Sequence, residues 1–159
     1  MRTVFASNAL LCYLHNLFNL LFNQDKQAYP IIRVVDKLPA VKIIDFSDNR
    51  LTDLTLMPLA HKLKRMPSLT YLDLSFNKMD DSSETIREYL MSESCNLGTL
   101  LLNGADVDDF ECVDLASAIE KNKSLHTLGL ANNLIGQAEM MNTANPSLGD
   151  WSCCFLLLF

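Results

Sequence analysis

Glycine and proline are scarce in this sequence, five of each in 159 residues, and tryptophan occurs once. That excludes collagen-like and low-complexity chains, which are built from such residues. Basic residues are outnumbered, with 13 Lys+Arg against 19 Asp+Glu, a net charge of −6 and a pI near 4.9. A protein that grips a nucleic-acid backbone needs a basic surface to neutralise phosphates, so no nucleic-acid partner is expected. The five cysteines (Cys12, Cys95, Cys112, Cys153 and Cys154) are odd in number, irregularly spaced and without a C-x-x-C pair. Neither a disulfide framework nor a zinc site follows, and a reducing, cytoplasmic compartment is the simpler expectation. There is no phosphate-cradling loop and no dinucleotide fingerprint, so no cofactor is expected. His15, His61 and His126 stand far apart with no nucleophile paired to any of them, which points away from an enzyme.

What is present is apolar: 49% of the residues are hydrophobic and 20% charged, enough for one soluble domain and marginal for two. Residues 3–22 are rich in apolar side chains, but Asn8, His15, Asn16 and Asn19 interrupt them and no small-residue cleavage pattern follows. Leu10, Leu14, Leu17, Phe18 and Leu21 fall at helical spacing, which favours an amphipathic capping helix over a targeting segment for residues 1–26. A degenerate half-repeat, Leu17-x-x-Leu20-x-Phe22, is the other reading of that stretch. The last nine residues, Trp151 to Phe159, are too few to span a bilayer and too apolar for a free tail, so a buried end is expected. Membrane association is disfavoured at both ends. The sequon Asn122-Lys123-Ser124 is of the kind that arises by chance, and glycosylation there is not expected.

A repeat dominates the interior. Segments beginning at Val41, Leu69, Leu97 and Leu125 step by 28 residues and fit L-x-x-L-x-L-x-x-N-x-L with conservative changes, apart from Ala105 at the Asn position. Between them, Pro30 and Pro58 recur at the same interval, as do Pro39 and Pro67. Ile31/Val35, Leu59/Leu63 and Leu115/Ile119 form equivalent i, i+4 pairs, and Ile86/Leu90 is the same pair displaced by one residue. The expectation is a short helix in every repeat, with Pro30 and Pro58 in the first turn and Pro39 and Pro67 stopping the helix before the next strand. Asp81 and Glu84 have the spacing of a capping box. Beyond Gly136 a helix over 138–144 is expected, closed by Asn145-Pro146.

On these positions the chain resembles the leucine-rich repeat family, and its 28-residue unit is similar to the ribonuclease-inhibitor-like class. The resemblance covers about residues 27–137, flanked by 1–26 and by a divergent segment, 138–159. It implies an α/β solenoid, a partial horseshoe with a parallel sheet on the concave face and helices on the convex face. One strand–helix unit cannot bury its own apolar face, so units stack and share a core. In the family the ninth-position Asn satisfies turn backbone groups, a role that Asn49, Asn77 and Asn133 match. Ala105 cannot, so the third coil is expected to be the weakest.

Charge groups outside the strands read as solvated surface: Asp106, Asp108, Asp109, Glu111 and Asp114 after the third strand, and Arg33, Lys37, Lys62, Lys64 and Arg65 on the convex helices. The first group lacks the ligand order of a calcium loop, so no metal is expected. Alternation along the strands sends Ile43, Asp45, Ser47, Tyr71, Asp73, Ser75, Thr99, Leu101, Asn103, Thr127, Gly129 and Ala131 to the concave face. Asp45, Tyr71, Asp73, Phe76, Thr99 and Leu101 are the candidate partner-binding residues, with a protein partner of basic character the expected occupant. The leading reading is a non-enzymatic protein-interaction module of undetermined oligomeric state. The alternatives are a regulator of a small GTPase, since the family includes Ran GTPase-activating proteins, or a structural repeat segment of a larger receptor or cytoskeletal protein.

Overall fold

Each L-x-x-L-x-L stretch forms a three-residue strand, and each amphipathic stretch after it forms a helix. A computed structural model describes residues 25–37, 41–79 and 81–136, with the backbone of 156–158. In chain order these are α1 (Asp25–Ile32), a 3₁₀ turn (Val35–Lys37), β1 (Ile43–Asp45), α2 (Asp53–Leu63), β2 (Tyr71–Asp73), α3 (Ser82–Leu90), β3 (Thr99–Leu101), α4 (Asp109–Lys121), β4 (Thr127–Gly129) and β5 (Leu156–Leu158). Strands β1 to β4 lie side by side and parallel, with Ile43, Tyr71, Thr99 and Thr127 aligned in one row. The pairing register is therefore the sequence period itself. The expected α/β leucine-rich repeat solenoid, sheet on one face and helices on the other, is what forms.

The leucines at the first, fourth and sixth positions fill the space between the layers. Leu69, Leu72, Leu74, Leu97, Leu100 and Leu102 are fully buried, each worth about 1.5–3 kcal/mol of transfer free energy. From the helical side Leu59, Leu63, Ile86, Leu90 and Leu115 meet them, also buried. Helix α2 packs between α1 and α3, and α3 packs on α4.

Two side-chain ladders join successive coils. Asn77 Oδ1 accepts from Leu51 N at 2.9 Å and Asn49 N at 3.3 Å, while its Nδ2 donates to the carbonyls of Phe46 at 2.8 Å and Leu74 at 2.9 Å. Asn133 does the same for Ala105 N at 2.8 Å, Val107 N at 3.1 Å and the Leu102 carbonyl at 2.7 Å. The second ladder is acidic. Asp25 accepts from Thr52 N at 2.9 Å, Asp53 from Asp81 N at 2.8 Å and Ser82 N at 2.9 Å, and Asp109 from Gly136 N at 2.6 Å. Each carboxylate sits in the first turn of a helix and takes orphan N–H groups of the next coil.

Several expectations need correction. Pro30 and Pro58 are each the sixth residue of their helix, because the helices begin at Asp25 and Asp53. Each therefore removes an i→i−4 hydrogen bond in the second turn. Asp81 makes no side-chain cap, since Asp53 of the preceding coil already takes the N–H groups at the start of α3. The capping box forms at α4 instead, where Glu111 N donates to Asp108 Oδ1 at 3.0 Å and Asp108 N to Glu111 Oε2 at 2.9 Å. The third coil does not lose its Asn contacts, because Asn133 serves its backbone. The absent rung lies between the second and third coils, where Met79 N donates to the Ala105 carbonyl at 3.2 Å. Within the apolar C-terminal stretch, β5 pairs antiparallel with β4, Thr127 opposite Leu158 and Gly129 opposite Leu156, a strand the repeat pattern did not anticipate. The amphipathic segment before Asp25 and the helix expected over 138–144 lie outside the described residues.

Candidate functional site

The strand rows build the sheet face away from the helices. The third positions give Ile43, Tyr71, Thr99 and Thr127, and the fifth give Asp45, Asp73, Leu101 and Gly129. Ile43 is 46% exposed, Gly129 is buried, and Asp45, Tyr71, Asp73, Thr99 and Leu101 are half-buried. The structure thus brings the candidate strand residues onto one surface, with Asp45 directly opposite Asp73 and Asp73 directly opposite Leu101.

Each carboxylate is held by the backbone two residues on. Asp45 Oδ1 accepts from Ser47 N at 3.0 Å and Ser47 Oγ at 2.7 Å, and Asp73 Oδ1 accepts from Ser75 N at 2.9 Å. Tyr71 Oη reaches Asp73 Oδ2 at 3.4 Å. Partial burial, then the charges of Asp73 and Asp45, push the Tyr71 phenol up to about 12, so it stays protonated.

The seventh positions behave differently from expectation. Ser75 is 3% exposed and faces its neighbours, its hydroxyl accepting from Asn103 N at 3.1 Å and Asn103 Nδ2 at 3.2 Å. Asn103 Oδ1 in turn accepts from Ala131 N at 2.9 Å. This third ladder runs beneath the candidate surface and was hidden because its side chains differ from coil to coil. Beside it, Leu101 and Asn103 lean over β4: a Cβ on Gly129 would stand 2.9 Å from Leu101 Cδ2 and from Asn103 Oδ1.

Phe76 completes the surface at the loop end and is 53% exposed. Its φ is +58°, and the equivalent residues Asp48, Gly104 and Asn132 share that left-handed conformation at +53°, +56° and +60°. Asp, Gly and Asn tolerate it; a bulky aromatic does so at a cost. The Phe76 ring lies over Gly104, where a Cβ would come within 2.7 Å of it.

Several residues of the other charge groups are committed elsewhere. Asp36, at 8% side-chain exposure, holds Lys62 at 2.8 Å and Arg65 at 3.3 Å, and Lys64 pairs with Glu88 at 3.2 Å. The hydrogen bond from Lys62 keeps the Asp36 carboxyl below its ordinary value, despite desolvation that opposes it. An open cleft of about 500 Å³ is lined by Lys78, Met79, Asp81, Asp106, Asp108, Glu111 and Leu134, but Asp108 and Glu111 are spent on the helix cap. Asn122 of the sequon is structural: its Nδ2 donates to the Leu90 carbonyl at 2.7 Å, and its Oδ1 accepts from Leu125 N at 2.7 Å. Among the described residues, Cys95 and Cys112 are free thiols, and no helix is long and apolar enough to cross a membrane. Burial, with Asp109 nearby, pushes the Cys112 thiol up.

Stacked strand–turn–helix coils with leucine layers and Asn rungs are the architecture of a leucine-rich repeat solenoid. In agreement, the family model described as "Leucine Rich repeat" matches residues 65–83, from the end of α2 to the start of α3. Human NACHT, LRR and PYD domains-containing protein 14 is 37% identical over 83 residues, which is 52% of this chain and 8% of that protein. The human protein 2 of the same series is 37% identical over 81 residues, 50% of this chain and 8% of its own length. The bovine protein 9 is 40% identical over 72 residues, 45% and 7% respectively. The chain thus spans less than a tenth of the length of these relatives.

Proposed function

We propose that the chain is a non-enzymatic, cytoplasmic protein-interaction module that binds a partner across the concave sheet. The observation that carries this reading is the single strip formed by Asp45, Tyr71, Asp73, Thr99 and Leu101, with Phe76 at its edge, while the helix-side cations Lys62, Lys64 and Arg65 are already paired. A half-buried Tyr beside oriented carboxylates is the type of anchor that protein interfaces use. The named leucine-rich repeats of the similar NACHT, LRR and PYD proteins support a binding rather than a catalytic role.

The test is affinity capture with mass spectrometry on three forms of the 159-residue chain: wild type, Asp45→Lys/Tyr71→Ala/Asp73→Lys, and a helix-face control, Leu54→Glu, at a site 75% exposed. Partners kept by the control and lost by the triple variant, then rebuilt from purified components, are expected. Partners retained equally by all three forms sink the concave-face reading.

A further inference from the structure

We propose that the outward face of α4, led by Phe110 and Val113, docks an amphipathic helix of a protein partner whose apolar stripe is bordered by Lys or Arg. This surface lies apart from the concave sheet and does not depend on that reading. Phe110, Val113, Asp114 and Ser117 follow the i, i+3, i+4, i+7 spacing of one helix stripe, and all four are exposed. Leu115 and Ala118, on the other side of the helix, are buried in the core. The outward stripe of a surface helix is ordinarily polar. This one begins with Phe110 at 79% exposure, the most exposed large apolar side chain among the described residues, and Val113 at 57%. Phe and Val are weaker helix formers than Ala, Leu or Lys, so local structure does not call for them there either.

Stacking a further coil does not cover this face. Leu54 of α2 is the equivalent of Phe110 two repeats earlier, and it stays 75% exposed although α1 and α3 pack on either side of its helix. The position is therefore on the crest of the coil, where a neighbouring helix does not reach. Phe110 is also held rigidly. It stands in a first turn fixed by the Asp108–Glu111 capping box and by Asp109, which accepts from Gly136 N at 2.6 Å. An aromatic anchor on an ordered backbone costs less to immobilise on binding. The ridge formed by side chains at i, i+3 and i+4 fits the groove of a second helix, and charge selects which helix. Asp109, Glu111, Asp114 and Glu120 set four carboxylates on α4 against one cation, Lys121, at its last residue. Basic residues beside the partner's apolar stripe complement that excess. A second copy of the same face, or an anionic lipid surface, meets like charge instead.

The test pans a phage library of helix-forming peptides with randomised faces on the immobilised 159-residue chain, then measures enriched sequences as fluorescein peptides by anisotropy. Variants are Phe110→Ser/Val113→Ser, Phe110→Leu, Asp114→Asn and, on the sheet face, Thr99→Arg, each checked as folded by thermal melting. The expected enrichment is a helix with Leu, Ile or Phe at i and at i+3 or i+4, and Lys or Arg beside them. The double Ser variant is expected to weaken such peptides about tenfold or more, and Phe110→Leu, which keeps an apolar contact, to weaken them less. Asp114→Asn is expected to weaken them about threefold at low salt, an effect that fades as salt rises. Thr99→Arg is expected to leave them unchanged. No enrichment, enriched peptides without basic residues, or affinity unaltered by the double Ser variant overturns the proposal. So does binding that is lost on Thr99→Arg and kept by the double Ser variant, which assigns the peptide to the sheet face. Self-association in sedimentation, or binding to phosphatidylserine vesicles, that disappears in the double Ser variant also overturns it, by giving the patch to a second copy or to a membrane.

Discussion

Replacing Asn77 by Ala tests whether the coils are held together by buried side-chain amides rather than by leucine packing alone. Asn77 is 4% exposed, and its amide serves Leu51 N, Asn49 N and the carbonyls of Phe46, Leu74 and Ser75. Truncation leaves the Leu51 N–H and the Phe46 carbonyl, both contacted at under 3 Å, without that partner in a place water does not reach. At about 1–3 kcal/mol for each buried group left unmade, with the remaining contacts weaker or shared, the loss is about 3–5 kcal/mol. That is a large part of the ~5–15 kcal/mol typical of a domain. Asn133 makes the equivalent bonds but is half-exposed, so water replaces some of them and Asn133→Ala costs about half as much. Urea unfolding followed by circular dichroism gives both values, and amide exchange at Leu51 reports the local loss. Asn77→Asp keeps the acceptor for Leu51 N and is expected to protect that amide better than Ala does. An Asn77→Ala loss below about 1 kcal/mol, or no larger than that of Asn133→Ala, refutes the reasoning.

Three further outcomes follow from the same structure. Asp53→Ala removes the cap that one coil provides for the next and is expected to cost about 1 kcal/mol in urea unfolding, whereas Asp114→Ala, at an exposed helix position, is expected to stay within about 0.5 kcal/mol. Asp25 and Asp36 lie below the ordinary value of 3.8 in the folded protein, Asp25 through bonds from Thr52 and Thr55 that outweigh its desolvation. Lowered carboxyls stabilise the fold above about pH 4 and lose that contribution as pH falls through their folded values; Asp25→Asn/Asp36→Asn should flatten this acid limb, and an unchanged limb counts against the assignment. Phe76→Asn is expected to raise stability by up to about 1 kcal/mol, through relief at the left-handed turn, while weakening partner binding, and a change of the same sign in both assays contradicts the role given to Phe76.

The leucine layers were legible in the sequence because a residue that must reach one shared core recurs at the period of the coil. Leu72 and Leu100 are forced to the same depth by the same geometry. The Asn rungs were legible for the same reason, but not the direction of their service: each amide reaches back to the preceding coil, so the gap at Ala105 falls one junction earlier than the repeat alone implies. The acidic ladder carried a signal of its own, since Asp25, Asp53 and Asp109 share one 28-residue register, with Asp81, whose side chain makes no rung, at the position between the last two. It was obscured by their helical context, where a first-turn carboxylate reads as a local dipole partner. Ser75 and Asn103 carried no such mark, because different side chains do equivalent work. The candidate surface was readable as a set of outward positions, since strand alternation fixes those. Its geometry was not, because exposure there depends on how a neighbour such as Leu101 leans over Gly129.

The junction that lacks an Asn rung lies beneath the candidate site. Between the second and third coils the Asn rung is absent, Met79 makes do with a 3.2 Å backbone bond, and Phe76 holds a costly turn against Gly104. In a solenoid, stability is close to a sum of unit terms and nearest-neighbour interfaces, so the missing Asn rung lowers cohesion at this junction, offset in part by Asn103 N and Nδ2 donating to Ser75 Oγ at 3.1 and 3.2 Å. Asp73 and Leu101 face each other across that same junction. A ligand that spans them binds the closed junction and not the parted one, and therefore stabilises it by mass action, about 2.7 kcal/mol when free ligand is a hundredfold above its dissociation constant. On the proposed reading, occupancy of the concave strip and cohesion of this junction are therefore thermodynamically coupled.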